Sequence, residues 1–156
     1  MMIGASIECA AFADLPEILD VQKLAFRSEA ELYNNCCIPP MCQTEDDLAE
    51  ELKAKVFLKA VVGNKIVGSV RAAKNKTVCL IEKLSVHPDF QNRGIGYRLL
   101  SAIQERFSGV ESFELATGKE SVKNIRLYEK AGFLIYKEET HSGVVMVFMK
   151  KPCPTA

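Results

Sequence analysis

The residues with chemical potential gather in the middle and second half of the chain: Glu82, the run Gln91-Asn92-Arg93-Gly94-Ile95-Gly96, Asn124 and Tyr128. The glycine run follows an apolar stretch, Leu80 to Val86, and opens an amphipathic one, Ile95 to Phe107. Strand, glycine turn and helix start in this order aim several main-chain N–H groups outward at a helix N-terminus, where the dipole also favours negative charge. Gly94 and Gly96 have no Cβ, so a bulky anion can come close to the main chain. A diphosphate suits such a turn; the bland alternative is a tight turn before a helix. Two other phosphate loops are excluded. The P-loop needs Lys and Ser or Thr after its last glycine, and here Tyr97 and Arg98 follow Gly96. The dinucleotide fingerprint needs a third glycine, and position 99 is Leu.

Glu82 is the only carboxylate within Val78 to Val86. Burial there would raise its pKa toward that of a useful general base; an ion pair with Lys83 or Arg71 is the alternative. Asn124 and Tyr128 are four apart and share one helix face. Their bland readings are a surface amide and a packed aromatic. His87, before Pro88 in a strand-end turn, reads as structural or solvent-facing.

The elements that must hold these residues follow from pattern. Ala5 to Ala11 reads as a first strand, with Cys9 in the core. Asp14-Leu15-Pro16-Glu17 starts a helix, the acid capping it, and Ile18, Val21 and Ala25 continue at helical spacing. Leu32 to Gln43, with Pro39-Pro40, reads as a loop. Thr44 caps a second helix through about Lys55. Val56 to Val62 and Lys65 to Ala73 are strands joined at Gly63-Asn64, and Thr77 to Val86 is a central strand. The next helix buries Ile95, Leu99, Ile103 and Phe107. Ser112 to Thr117 is a strand. Ser121 to Ala131 is a helix stopped by Gly132. Phe133 to Thr140 and Val144 to Lys150 form a final hairpin. The expected organisation is one domain, residues 1–151, and a loose tail, 152–156.

Val86-His87-Pro88-Asp89-Phe90-Gln91-Asn92-Arg93-Gly94-Ile95-Gly96 resembles the acetyl-CoA-binding motif of the GCN5-related N-acetyltransferases. Asn124 to Phe133 resembles that family's second signature. The likeness is close from about Leu80 to Tyr136 and looser toward the N-terminus. It implies an α+β fold: a mixed, mostly antiparallel sheet flanked by helices on both faces. In it strands four and five, here Thr77 to Val86 and Ser112 to Thr117, run parallel and splay apart to admit the cofactor. Unpaired groups of Leu84, Ser85 and Val86 would bond the pantetheine arm. Main-chain N–H groups of Gln91 to Gly96, helped by Tyr97 and Arg98, would hold the diphosphate, and the Arg93 side chain would add charge. By the same resemblance Glu82 is the base, directly or through water, Tyr128 protonates the coenzyme A sulfur, and Asn124 contacts the cofactor.

The implied activity is transfer of the acetyl group of acetyl-CoA to a primary amine by direct attack in a ternary complex. A small-molecule acceptor is favoured; a protein N-terminus or lysine is the alternative. A coenzyme A-binding sensor without turnover would keep the glycine loop but need neither Glu82 nor Tyr128. The irregular stretch from Leu32 to Gln43, with Tyr33, Asn34, Asn35 and Met41, is expected to border the acceptor site. The resemblance also makes a homodimer a candidate assembly.

Bulk properties agree with such a protein. The 156 residues suffice for one domain with a real core. Lys and Arg total 20, as do Asp and Glu, and this balance argues against nucleic-acid binding driven by phosphate neutralisation. No apolar run reaches the length of a membrane span. Met1 to Ala13 lacks a basic start and carries Glu8, so a cytoplasmic protein with reduced thiols is expected. Cys36, Cys37 and Cys42 cluster without a regular ligand spacing, and no metal is expected.

Overall fold

Leu58 and Val67 belong to one buried cluster, and their chain neighbours Phe57 and Ile66 to another. Successive strand residues point to opposite faces, so the strands that carry these pairs are covered on both sides. The computed structural model describes residues 4–154. Its strands are β1 (Ser6–Cys9), β2 (Val56–Val62), β3 (Lys65–Asn75), β4 (Val78–Val86), β5 (Ser112–Gly118), β6 (Leu134–His141) and β7 (Val144–Pro152). They form one sheet in the order β1-β2-β3-β4-β5-β7-β6. Every pairing is antiparallel except β4 with β5. This is the expected mixed α+β architecture, with its parallel pair in the expected place.

The helices are α1 (Leu15–Leu32), α2 (Pro39–Cys42), α3 (Glu45–Ala54), α4 (Ile95–Glu105) and α5 (Val122–Lys130). Leu15, Ile18 and Val21 of α1 and Leu48 of α3 cover the face of Phe57 and Ile66. On the other face lie Ile95, Leu99, Leu100 and Ile103 of α4, with Tyr128 of α5. Gly68 lets α4 approach: a Cβ there would lie 3.0 Å from both Leu99 Cδ1 and the Ser85 carbonyl oxygen.

Several local readings change. Cys9 is exposed, not core, because β1 is an edge strand. Asp14 does not cap α1 through its side chain; its Oδ2 accepts from the Ala11 N–H and from Lys59 Nζ, both at 2.8 Å. The segment Leu32 to Gln43 is not all irregular. α1 runs through Leu32, and Pro39 and Pro40 start α2, where their missing N–H groups would be unbonded anyway. Phe107 lies beyond the end of α4 and is only half-buried, while Leu100 takes an inward place. β7 continues through Pro152 opposite Ser112, and the Cys153 N–H donates to the Glu111 carbonyl at 2.8 Å. Residues 1–3 and 155–156, the extremes of the expected domain and tail, lie outside the described residues. Among the described residues no helix is long and apolar enough to cross a membrane.

Candidate functional site

The splay of β4 from β5 has a local cause. The two pair in parallel only at Val78↔Ser112, Cys79↔Phe113 and Leu80↔Glu114. Between the β3–β4 pairs Ser69↔Ser85 and Arg71↔Glu82, β3 contributes one residue and β4 two, Lys83 and Leu84. Lys83 sits at φ 55°. An extra residue of this kind bends a strand away from its neighbour. β5 meanwhile stays with β7 as far as Gly118↔Met146. The strands part, and a cleft of about 840 Å³ opens beside Leu84 and Val86 at the end of β4, walled by α1, the glycine turn and α5.

The glycine turn supplies one end. Asn92 and Gly94 are both left-handed, at φ 62° and 83°. The Arg98 N–H makes the first helical bond, to the Gly94 carbonyl at 3.0 Å, and no N–H from Gln91 to Tyr97 donates to a main-chain carbonyl. Among the described residues those seven groups are left without a main-chain partner. The Arg98 main chain is therefore spent on the helix, contrary to the sequence reading, and its side chain is exposed and absent from the cleft lining. The two glycines differ in purpose. Gly94 has open space around it and needs its positive φ; a Cβ on Gly96 would lie 3.3 Å from Leu127 Cδ2 and 3.6 Å from Val86 Cγ2. Gly96 thus lets α4 pack against α5. Gln91 Nε2 donates to the Val86 carbonyl at 3.1 Å and braces the turn.

Leu84, Val86, Gln91, Asn92, Gly94, Ile95, Gly96, Tyr97 and Asn124 all line the cleft. Ser85 does not; it is buried, and its hydroxyl donates to the Lys83 carbonyl at 3.0 Å, fastening the bulge. The exposed Arg93 holds its guanidinium 5.4 Å from the Phe90 ring centre.

Glu82 is also off the lining. Its side chain is 37% exposed and bonds Lys55 Nζ at 2.6 Å, so the expected burial is not found. The alternative reading, an ion pair, names Lys83 or Arg71 as partner. Lys55 takes their place because it caps the C-terminus of α3 and leads directly into β2. Lys55 also bonds Glu51 at 2.9 Å. Burial alone would lower the Lys55 pKa, but the bonds to Glu82 and Glu51 outweigh it and hold the ammonium above its usual range.

Tyr128 is buried, with its ring 6.2 Å from that of Phe133 in an edge contact. Burial first, and the charge of Glu29 second, push its phenol well above the usual tyrosine range. Glu29 is a residue that sequence reasoning missed. It comes from α1, lines the cleft, and accepts from Asn124 Nδ2 at 2.6 Å. Burial raises its pKa; the Ser121 hydroxyl beside it opposes that rise. Yet Ser121 Oγ has no partner in hydrogen-bond geometry, although it is buried. Lys123 and Lys130 also face the cleft. Their spacing with Leu127 along one helix face was a legible signal; Glu29, distant in sequence from Asn124, carried none.

Residues 16–133 match the Acetyltransferase (GNAT) family. A UPF0157 protein of Bacillus subtilis, YqkA, is 30% identical over 117 residues, which are 75% of this chain and 34% of that protein. The chain thus spans about a third of that relative's length. An acetyltransferase of Pectobacterium atrosepticum is 30% identical over 67% of this chain and 78% of its own. Among solved structures, the PaiA N-acetyltransferase of Thermoplasma acidophilum in complex with coenzyme A aligns with a TM-score of 0.80 at 16% identity, covering 96% of this chain and 99% of that one.

Proposed function

The chain belongs to the acetyltransferase (GNAT) family, and from that premise we propose that it carries the acetyl group of acetyl-CoA to a primary amine on a small molecule. One observation carries the reading: the N–H groups of Gln91 to Tyr97 make no main-chain bond among the described residues, and all of these residues but Arg93 line the cleft beside the end of β4. A diphosphate satisfies those donors, and the gap accepts an extended arm whose amides meet the unpaired edge of β4. The coenzyme A complex of the Thermoplasma protein, which shares this fold, supports the same donor. Lys123 and Lys130 add positive charge on the α5 wall.

Acetyl-CoA supplies an activated thioester; the protein must hold it, manage the amine's protons and stabilise the departing sulfur. Direct attack within a ternary complex needs only that both substrates be held together. Tyr128 donates a hydrogen bond to the sulfur. Its raised pKa keeps the phenol protonated. For the same reason it does not surrender its proton outright to a thiolate, since an ordinary thiol titrates near about 8.5; any proton it passes on is replaced from the amine. Glu82, bonded to Lys55 away from the cleft lining, acts as a base only through a chain of water.

The test has two stages. Saturating acetyl-CoA should raise the melting temperature, by about 2.7 kcal/mol of stabilisation at a hundredfold excess over Kd. A library of primary amines and peptides is then screened for released thiol. Turnover with small amines and not peptides supports the reading; turnover with peptides alone transfers it to protein acetylation. A thermal shift without any thiol release leaves a coenzyme A sensor, and no shift removes the cofactor site altogether.

A further inference from the structure

Resting on the acyl-transfer reading above, we infer that Glu29, Ser121 and Asn124 form the subsite that receives the acceptor's primary ammonium, and that Glu29 takes its proton. Asn124 Nδ2 donates to Glu29 Oε1 at 2.6 Å and lies 3.5 Å from Thr117 Oγ1. This bond orients the carboxylate and leaves Oε2 for a second donor. Ser121, only 7% exposed, lines the same cleft with its Oγ beside the Glu29 carboxylate, and among the described residues no group makes a well-aligned hydrogen bond to that oxygen. A buried hydroxyl left unpaired is costly, and a donor brought by a ligand relieves that cost. An ammonium carries three donors and no acceptor, which complements a carboxylate oxygen and a free hydroxyl oxygen.

The surroundings fit the proton chemistry. Ala25, Phe26 and Leu32 make the α1 side of the cleft largely apolar around Glu29. Burial lifts the carboxyl toward a working base's range. Tyr128 is close enough to feel its charge, although its ring is buried and not among the residues that line the cleft. The other charged groups facing the cleft are Glu120, Lys123 and Lys130.

The step balances as follows. The ammonium gives one proton to Glu29, and its nitrogen lone pair attacks the thioester carbonyl carbon. The C–N bond forms, the C–S bond breaks with its electron pair going to sulfur, and the second nitrogen proton reaches sulfur by way of Tyr128. Glu29 then releases its proton to solvent. The products are the amide, coenzyme A as thiol and one proton.

The rival role for the same atoms is bonding pantetheine amides, and the experiment separates the two. Coenzyme A affinity is measured by calorimetry, and n-propylamine affinity by NMR on the coenzyme A-loaded protein, with the n-propyltrimethylammonium ion as a probe that has no proton to give. Glu29→Gln should bind coenzyme A within about twofold of the parent and n-propylamine at least tenfold more weakly. With acetyl-CoA and the best amine of the screen, kcat should fall about a hundredfold and lose the acidic limb of its pH profile. Glu29→Asp should keep that limb at reduced rate. Ser121→Ala should weaken the amine several-fold without touching coenzyme A. The trimethyl probe should bind poorly to all forms. The inference is overturned if Glu29→Gln weakens coenzyme A and spares the amine, or if it keeps the parental kcat and pH profile. Should Glu29→Gln not fold, Glu29→Asp and Ser121→Ala decide the matter. Should the parent bind coenzyme A but acetylate nothing, the acyl-transfer reading fails, and the amine-binding arm still judges the subsite.

Discussion

Two clusters of buried polar groups differ in how completely they are bonded. Around Arg71, beneath α2 and α3, Nη2 donates to Gln22 Oε1 at 2.8 Å and to Gln43 Oε1 at 2.7 Å. Gln22 Nε2 donates to the Pro40 carbonyl, Gln43 Nε2 to Glu51, and Lys55 to both Glu51 and Glu82. Arg71 Nε lacks a well-aligned hydrogen bond, but lies 3.4 Å from Glu51 Oε2 as an ion pair. Around Glu29 there are fewer bonds: one amide reaches the carboxylate, and the Ser121 hydroxyl lies beside it without a well-aligned hydrogen bond. The contrast separates roles. A dense network ties α2 and α3 to the sheet, whereas a sparser one suits the proposed binding of a ligand.

The sharpest way to break this contrast is to open the closed cluster. Arg71→Ala removes a side chain that is 2% exposed, takes the Nη2 donor from Gln22 and leaves Glu51 with Lys55 as its one cation, so stability should fall by about 2–3 kcal/mol in denaturant unfolding. A loss under about 1 kcal/mol would mean that the network is ornamental. Next in size is Tyr128→Phe, which deletes one donor to a developing sulfur charge. We expect kcat to drop about ten- to a hundredfold, or about 1.4–2.7 kcal/mol, with acetyl-CoA affinity nearly unchanged. Equal kcat in a single-turnover assay would place the sulfur elsewhere.

The two clusters should also answer pH in opposite directions. Burial raises Glu29. Below the ordinary carboxylate pKa both folded and unfolded chains hold that proton; above the raised value the folded chain must bear a desolvated carboxylate. Glu29→Gln should therefore raise the melting temperature at pH 8 and not at pH 4. For Glu51 burial pulls upward, but Lys55 and Arg71 outweigh it and hold the group below its usual value. Its stabilisation is present at neutral pH and lost as the pH falls through that lowered value. Glu51→Gln should accordingly cost stability at pH 7 and cost little in strong acid. Melting curves of both variants across pH 3–9 check the pair of signs, and slopes of the same sign would undo the distinction. The smallest effect belongs to Ser121→Ala in the absence of ligand: removing a buried hydroxyl without a well-aligned partner should leave stability unchanged or raise it by about 1 kcal/mol. A clear loss would reveal a partner for Ser121.

Much of this was legible before any coordinates. The Gly63-Asn64 and Ser142-Gly143 turns set both hairpins, and Thr44 with Asp47 forms the capping box that starts α3. These signals are local: a φ above zero, a side chain reaching its own helix start, an apolar period of two or 3.6. Cys9 misled because an apolar run reads alike in a central and an edge strand. Glu82 misled for a related reason: a strand's pattern shows which face a residue takes but not which helix end will bring a lysine to it.

By itself, then, the chain's order of residues determined most of the elements and the N–H donors at the glycine turn, since each depends on neighbours within a few positions; the parallel pair, whose strands are tens of residues apart, was implied by the family resemblance. The partner of Glu82 was decided only when the end of α3 packed against β4, and the place of Glu29 beside Asn124 and Ser121 only when α1 packed beside α5. Pair energies between charged or polar groups depend on distance and burial, and for residues tens of positions apart both are properties of the packed molecule.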